Sequence, residues 1–176
     1  MKRLSLLLLD ANVVIHLFEI GIWAKLVELC DLHLSRTVVD EAHFFEDERG
    51  ERHEIDLAPA IAAKQITVFD VVPSDMDAFF ERFDASYLEK LDAGEAESLA
   101  HLLNAPEEML FCSADKIVFR VLGNLDRSTQ GISLEEVLSR IGLSRSLPKH
   151  FGRAYREKWT SYGVEENMRG LGTKPR

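Results

Sequence analysis

The chain has 176 residues, 46% hydrophobic and 29% charged, with 5 prolines and a net charge of −9. That length suits one domain with a hydrophobic core plus an appendage, and the composition excludes disordered and fibrous classes. The charge is uneven: residues 140–176 hold nine Lys or Arg against three Glu, which leaves an acidic body and a basic C-terminal segment.

The N-terminus opens on Lys2, Arg3 and an apolar run from Leu4 to Leu9, in outline the start of an export signal. Such a signal needs roughly 7 to 15 unbroken apolar residues, and a spanning helix about 20. Asp10, Asn12, His16 and Glu19 interrupt both, so a cytoplasmic protein with no membrane partner is expected. The run reads instead as a strand buried on both faces of a parallel sheet. Asn12 is positioned to cap the next helical segment, and Ile22, Leu26 and Leu29 continue at helical spacing through Cys30. With no CxxC in the chain, Cys30 and Cys112 read as small buried hydrophobes. Residues 32–35 form a second strand, and Thr37 opens a helix with Asp40 at capping-box spacing. EDERGERHE, residues 46–54, is an exposed loop around Gly50.

Further along, 57–64 is a helix and 66–72 a strand ended by Pro73, after which Ser74 or Asp75 caps a helix through Phe79, Phe80 and Phe83. Another helix spans 94–104. Residues 109–112 are the fourth strand, and Ser113 caps a helix through Ile117, Val118, Val121 and Leu122. Ser133 and Glu136 have capping-box spacing for a helix to Ile141. SRSLP then reads as a hinge into a basic aromatic helix over 149–159, followed by a Gly-rich tail; the basic segment as a whole is a phosphate-tracking appendage or a solvated C-terminal helix with a frayed end. Strands alternating with helices on short connections predict an α/β sandwich around a mostly parallel sheet.

In such folds ligands bind outside the carboxyl ends of the strands, so acids that follow strands carry the functional reading. Asp10 ends the first strand, where a carboxylate loses solvation and needs a cation, a proton or strong hydrogen bonds. Asp115 follows the fourth strand and shares a stripe with Val118, Phe119 and Leu122; alone, it would merely favour the helix dipole. In LDAGEAESLA, Glu95 faces inward with Ser98, Leu99 and Leu102, while Glu97 aligns with His101 and faces outward. Asp92 and Glu95 also have the spacing of an N-cap and its partner. Glu41 lies about 100° round its helix from Asp40 and is the inward member of that pair. Oxygen-only ligands suit magnesium or manganese, and such a cluster can activate water against a phosphodiester. Asn12 and Ser113 would support the ligands or bond a metal water. Arg153, Tyr155, Arg156, Lys158 and Trp159 are the basic aromatic cluster, expected to contact RNA.

LLLLDANVVIHLF, TVVDEAHFF, LDAGEAESLAHLL and FCSADKIVFRVL, in that order, resemble the four acidic motifs of the PIN domain, a nuclease fold found in many prokaryotic toxin ribonucleases. The resemblance spans residues 4–122. It matches Asp10 with Asn12 to the first motif, Glu41 to the second, Glu95 to a Gly-Glu variant of the third, and Ser113 with Asp115 to the fourth. The third acid stays open among Asp92, Glu95 and Glu97. The resemblance implies a three-layer α/β/α sandwich over 1–142, magnesium or manganese at Asp10, Glu41, Glu95 and Asp115, and hydrolysis of RNA. An antitoxin-like protein partner and a homodimer are expected from the same likeness, with 143–176 a basic helical extension outside the motifs. Two other readings stand beside it. Asp10 could be the nucleophile of a haloacid-dehalogenase-like phosphatase, although Asn12 stands where a second aspartate belongs. The fold could instead be a non-catalytic RNA- or protein-binding module whose acids only cap helices, a reading that the intact acidic set argues against.

Overall fold

The computed structural model describes residues 4–175; Lys2, Arg3 and Arg176 of the sequence reading lie outside the described residues. The chain runs β1 (Leu4–Leu9), α1 (Ala11–Glu19), α2 (Trp23–Leu29), β2 (Cys30–Ser35) and α3 (Arg36–Glu41), then a hairpin of β3 (Phe44–Glu46) and β4 (Arg52–Glu54). It continues through α4 (Ala58–Ala62), β5 (Ile66–Phe69), α5 (Pro73–Glu81), α6 (Ala85–Leu88), α7 (Ala93–Asn104) and β6 (Leu110–Cys112). It finishes with α8 (Lys116–Asn124), β7 (Gly131–Ile132), α9 (Leu134–Arg140) and α10 (Arg153–Met168).

Five parallel strands form the central sheet in the order β5-β2-β1-β6-β7. The leucine-rich run makes β1 the middle strand: Leu7 pairs with Leu32 on one side and Leu110 on the other, and Leu8 with His33 and Phe111. Leu7, Leu8 and Leu9 are fully buried, each contributing about 2 kcal/mol of apolar burial. Alternation sends them to opposite faces. Leu7 and Leu9 join α1, α2 and α9 through Val13, Leu17, Leu26 and Val137. Leu8 joins α7 and α8 through Leu99, Val118 and Val121. The result is an α/β fold with helices on both sides of a parallel sheet.

From β1 the chain winds outward through β2 and β5, then returns to the other side of β1 for β6 and β7. That reversal places a switch point between the carboxyl ends of β1 and β6, where an open α/β sheet has a natural crevice.

Several local expectations shift. The segment 46–54 is exposed as expected but carries the β3–β4 pairing, with Phe45 opposite His53 and Gly50 at φ +75° in the turn. The Asp47 side chain closes that turn by accepting from the Arg49 and Glu51 amides at 2.9 Å. Helix starts move as well: Asp10 rather than Asn12 caps α1, Ser35 rather than Thr37 caps α3, and Asp115 rather than Ser113 caps α8. Helix α5 begins on Pro73 with Val72 before it, so neither Ser74 nor Asp75 is its cap. The expected boxes at Asp92–Glu95 and Ser133–Glu136 both form.

The C-terminal segment packs into the body. Helix α10 crosses α8 where Gly123 meets the Thr160 carbonyl and Gly163 meets the Arg120 backbone, so closely that a Cβ on either glycine would collide. Arg120 forms a two-bond ion pair with Glu166, Tyr87 donates to Glu166 at 2.6 Å, and Asn124 donates to Tyr87 and to the Leu171 carbonyl. The tail beyond α10 is pinned rather than frayed: Asp84 N–H bonds the Gly172 carbonyl and Lys174 N–H the Arg82 carbonyl. Among the described residues, no helix is long and apolar enough to cross a membrane.

Candidate metal centre

Asp10 leaves the carboxyl end of β1 and is 3% exposed. Its carboxylate accepts from Val13 N–H at 2.8 Å, from Ala114 N–H at 3.3 Å and from the Ser113 hydroxyl. Ser113 also takes the Asp115 amide proton at 3.0 Å, so one buried hydroxyl joins the ends of β1 and β6. Asp115 then caps α8 by accepting from Ile117 N–H.

The third acidic motif arrives at the start of α7. Asp92 accepts from Glu95 N–H at 2.7 Å, and Glu95 returns to Asp92 N–H at 3.1 Å. Glu95 is also 3% exposed. Glu41, the last residue of α3, comes close because position 94 is glycine: a Cβ there would stand 3.1 Å from the Glu41 carboxylate and 3.0 Å from Val38. Asp10, Asn12, Glu41, Asp92 and Glu95 therefore line one cleft of about 180 Å³. Asp115 stands beside it, near enough for its charge to act on Glu95. Glu97 does not face outward. It accepts from Thr37 at 2.8 Å, tying α7 to α3, and its charge reaches Glu41.

Burial lifts the Asp10 carboxyl to about 6, against the hydrogen bonds that lower it and with help from Asp92. Burial, then Asp92 and Asp115, lift Glu95 to about 8. Glu41 is raised by burial and by Asp92, Glu97 and Asp10. Three helix N-termini, those of α1, α7 and α8, offer their positive ends here, a setting that favours anions. Capping accounts for Asp10, Asp92, Glu95 and Asp115 singly. It does not call for their crowding: among the described residues no Lys, Arg or His forms an ion pair with any of these acids. An oxygen-only donor set, acidic and short of counter-charge, fits a hard divalent cation that keeps several waters. The fit is an open one, since no three of these residues bring carboxylate oxygens within 4.8 Å of one another.

Among the described residues the one acid–histidine group with that tighter spacing is Asp47, Glu51 and His53 on the hairpin. It is a turn-closing arrangement, with Asp47 already bonded to two amides and to His53.

The expected RNA-contact residues divide. Arg156 is committed to Glu136 through two bonds of 2.7 and 2.8 Å, and Arg153 to Glu157 at 2.7 Å. Trp159 is flanked by Lys158 and Lys116 at 5.0 and 5.5 Å and meets Tyr155 edge-on. Burial, then the Asp115 charge, raises the Tyr155 hydroxyl, and with Lys116 against Trp159 this end of α10 lies beside the start of α8. Sequence reasoning missed Gly94, Ala114 and Thr37. Gly94 carried a signal, a glycine between two acids at a helix start; the other two are visible only in three dimensions.

No family model, no curated protein and no solved structure matches this chain.

Proposed function

We propose that the chain is a divalent-cation-dependent nuclease that hydrolyses RNA phosphodiesters. One observation carries this reading: Asp10 and Glu95 are buried beside Glu41 and Asp92 at the sheet's switch point, with no ion-paired cation among the described residues. The resemblance of the four acidic motifs to PIN nucleases directs the chemistry towards RNA. Asp10, Glu41 and Glu95 would hold magnesium or manganese, with Asp92 and Asp115 beside them, and the ion would supply charge neutralisation at phosphate and activation of water. Ser113 and the amides of Val13 and Ala114 fix the Asp10 carboxylate. Glu95 holds a proton at neutral pH in the absence of a cation, given its rise to about 8, so cation binding is accompanied by proton release. The helix N-termini at the rim favour the negative phosphate.

Asn12 stands where a haloacid-dehalogenase-like phosphatase has its second aspartate, which weighs against Asp10 as the nucleophile of a phosphatase. The test is cleavage of single-stranded RNA by the purified chain with magnesium or manganese. Asp10→Asn is expected to lower the rate by more than about 100-fold, the upper end of losses from disturbing merely supporting partners. Equal cleavage by the variant overturns the assignment.

A further inference from the structure

A second cleft of about 420 Å³ adjoins the carboxylates. One wall is a stripe of α1, Asn12, Ile15, His16 and Glu19, and its first two members also line the acidic cleft. The floor is Ala114, whose amide holds Asp10. The other wall comes from the turn Lys149–Phe151, which the four acidic motifs do not include. Here three rings meet: His16 stacks on Phe151 at 4.3 Å and an interplanar angle of 11°, and exposed His150 lies against Phe151 at 4.3 Å, tilted by 39°. His16 Nδ1 pairs with Glu19 at 2.8 Å, while Nε2 is buried without a protein partner, an arrangement that calls for explanation in a native interior.

We propose that this cleft is a nucleobase subsite, which takes the base next to the phosphodiester held over the carboxylates. The inference rests on the nuclease reading. A nucleotide attached to that phosphate places its base about one sugar's length away, and the cleft sharing Asn12 and Ile15 with the acidic site is a ring-lined surface continuous with it. The exposed His150 ring supplies a stacking face, which accepts any base. Asn12 and Glu19 stand on the rim with side-chain oxygens able to accept from a base N–H. Together these make a pocket that prefers a flat, hydrogen-bonding ring over a plain apolar group. The turn therefore contributes to substrate choice, and the basic C-terminal segment acts through this pocket as well as through charge.

The test uses the full chain carrying Asp10→Asn, with nucleoside 5′-monophosphates added one at a time and the histidine ring protons followed by NMR. Saturable shifts at His150 and His16 are expected. His150→Ala should weaken binding roughly tenfold, the range expected for loss of one stacked base, and His150→Phe should restore it. In parallel, wild type and His150→Ala in an otherwise wild-type chain are compared on an RNA pool of randomised sequence, where the variant should lose nucleotide preference at one position beside the cut. No shift with any of the four monophosphates, or an unchanged preference in His150→Ala, overturns the subsite. If wild type leaves RNA intact while monophosphates still shift His150 and His16, the subsite stands and the nuclease reading falls.

Discussion

Asp10 illustrates why position matters more than residue type. An aspartate at a helix N-cap is ordinarily solvated and ionised, but this one is the last residue out of a strand whose Leu7, Leu8 and Leu9 are fully buried. An acid whose folded-state pKa lies above its unfolded value binds its proton more tightly when folded, so stability is greatest where both states are protonated and declines as pH rises. For Asp10 that decline runs from 3.8 to about 6, and for Glu95 from 4.5 to about 8. Chelator-treated protein is therefore expected to lose thermal stability between about pH 5 and about pH 8, by roughly a few kcal/mol. Saturating manganese should remove most of that decline, since the ion binds the ionised form. A flat pH profile in the chelated protein, read by calorimetry, would show that the acids are not buried together. At this scale the sequence was informative about Asp10 and Asp115, which follow apolar strands. It was misleading about Glu97, because helical spacing shows which residues share a face and not what packs beside them; here α3 brings Thr37 to meet it.

At the level of elements, the helices were legible and their first residues were not. Asp10 and Asn12, Ser35 and Thr37, and Ser113 and Asp115 are pairs two positions apart in which either member can cap. The preceding strand decides between them. Strand β1 pairs with β6 through Leu9, and the Asp10 amide adds one more bond, to the Cys112 carbonyl, before the chain turns. The boxes at Asp92–Glu95 and Ser133–Glu136 formed as read because both partners are local. The crossing of α8 and α10 lies at the other extreme. Gly123 and Gly163 are unremarkable in sequence, yet each meets the opposite backbone with no room for a methyl group. Gly163→Ala is expected to destabilise the protein by about 1–3 kcal/mol, the range for overpacking a close contact. Intrinsic helix propensity alone would make the same change favourable by up to about 1 kcal/mol, so urea denaturation gives opposite signs for the two causes.

For the molecule as a whole, the division at residue 142 acquires a different meaning. The segment 143–176 reads from the sequence as a basic helical extension entered through a hinge, but Phe151 belongs to the same buried cluster as Leu7 and Val13. Glu166 satisfies Arg120 and Tyr87, and the Leu171 carbonyl satisfies Asn124. Removing 143–176 would leave Arg120 and Tyr87 without their carboxylate partner and expose the glycine face of α8. Breaking such a partly buried pair from one side costs about 3–5 kcal/mol, a large share of the roughly 5–15 kcal/mol that holds a domain together. The fragment 1–142 is therefore expected to lack a cooperative unfolding transition by calorimetry; a sharp transition near that of the full chain would restore the arm as an independent extension.

The sequence by itself determined the class of fold, the central strand and the acids most exposed to functional use, because burial pattern, turn chemistry and strand-end position are local properties. Only the tertiary structure decided that α3 and the start of α7 deliver Glu41, Asp92 and Glu95 to the cleft opened beyond β1, with Asp115 beside it. It also decided that Glu97 turns towards α3 and that residues 148–151 wall a second cleft beside the first. Those outcomes depend on strand order and helix crossing, which are set by contacts between residues tens of positions apart, and no local pattern of the chain encodes them.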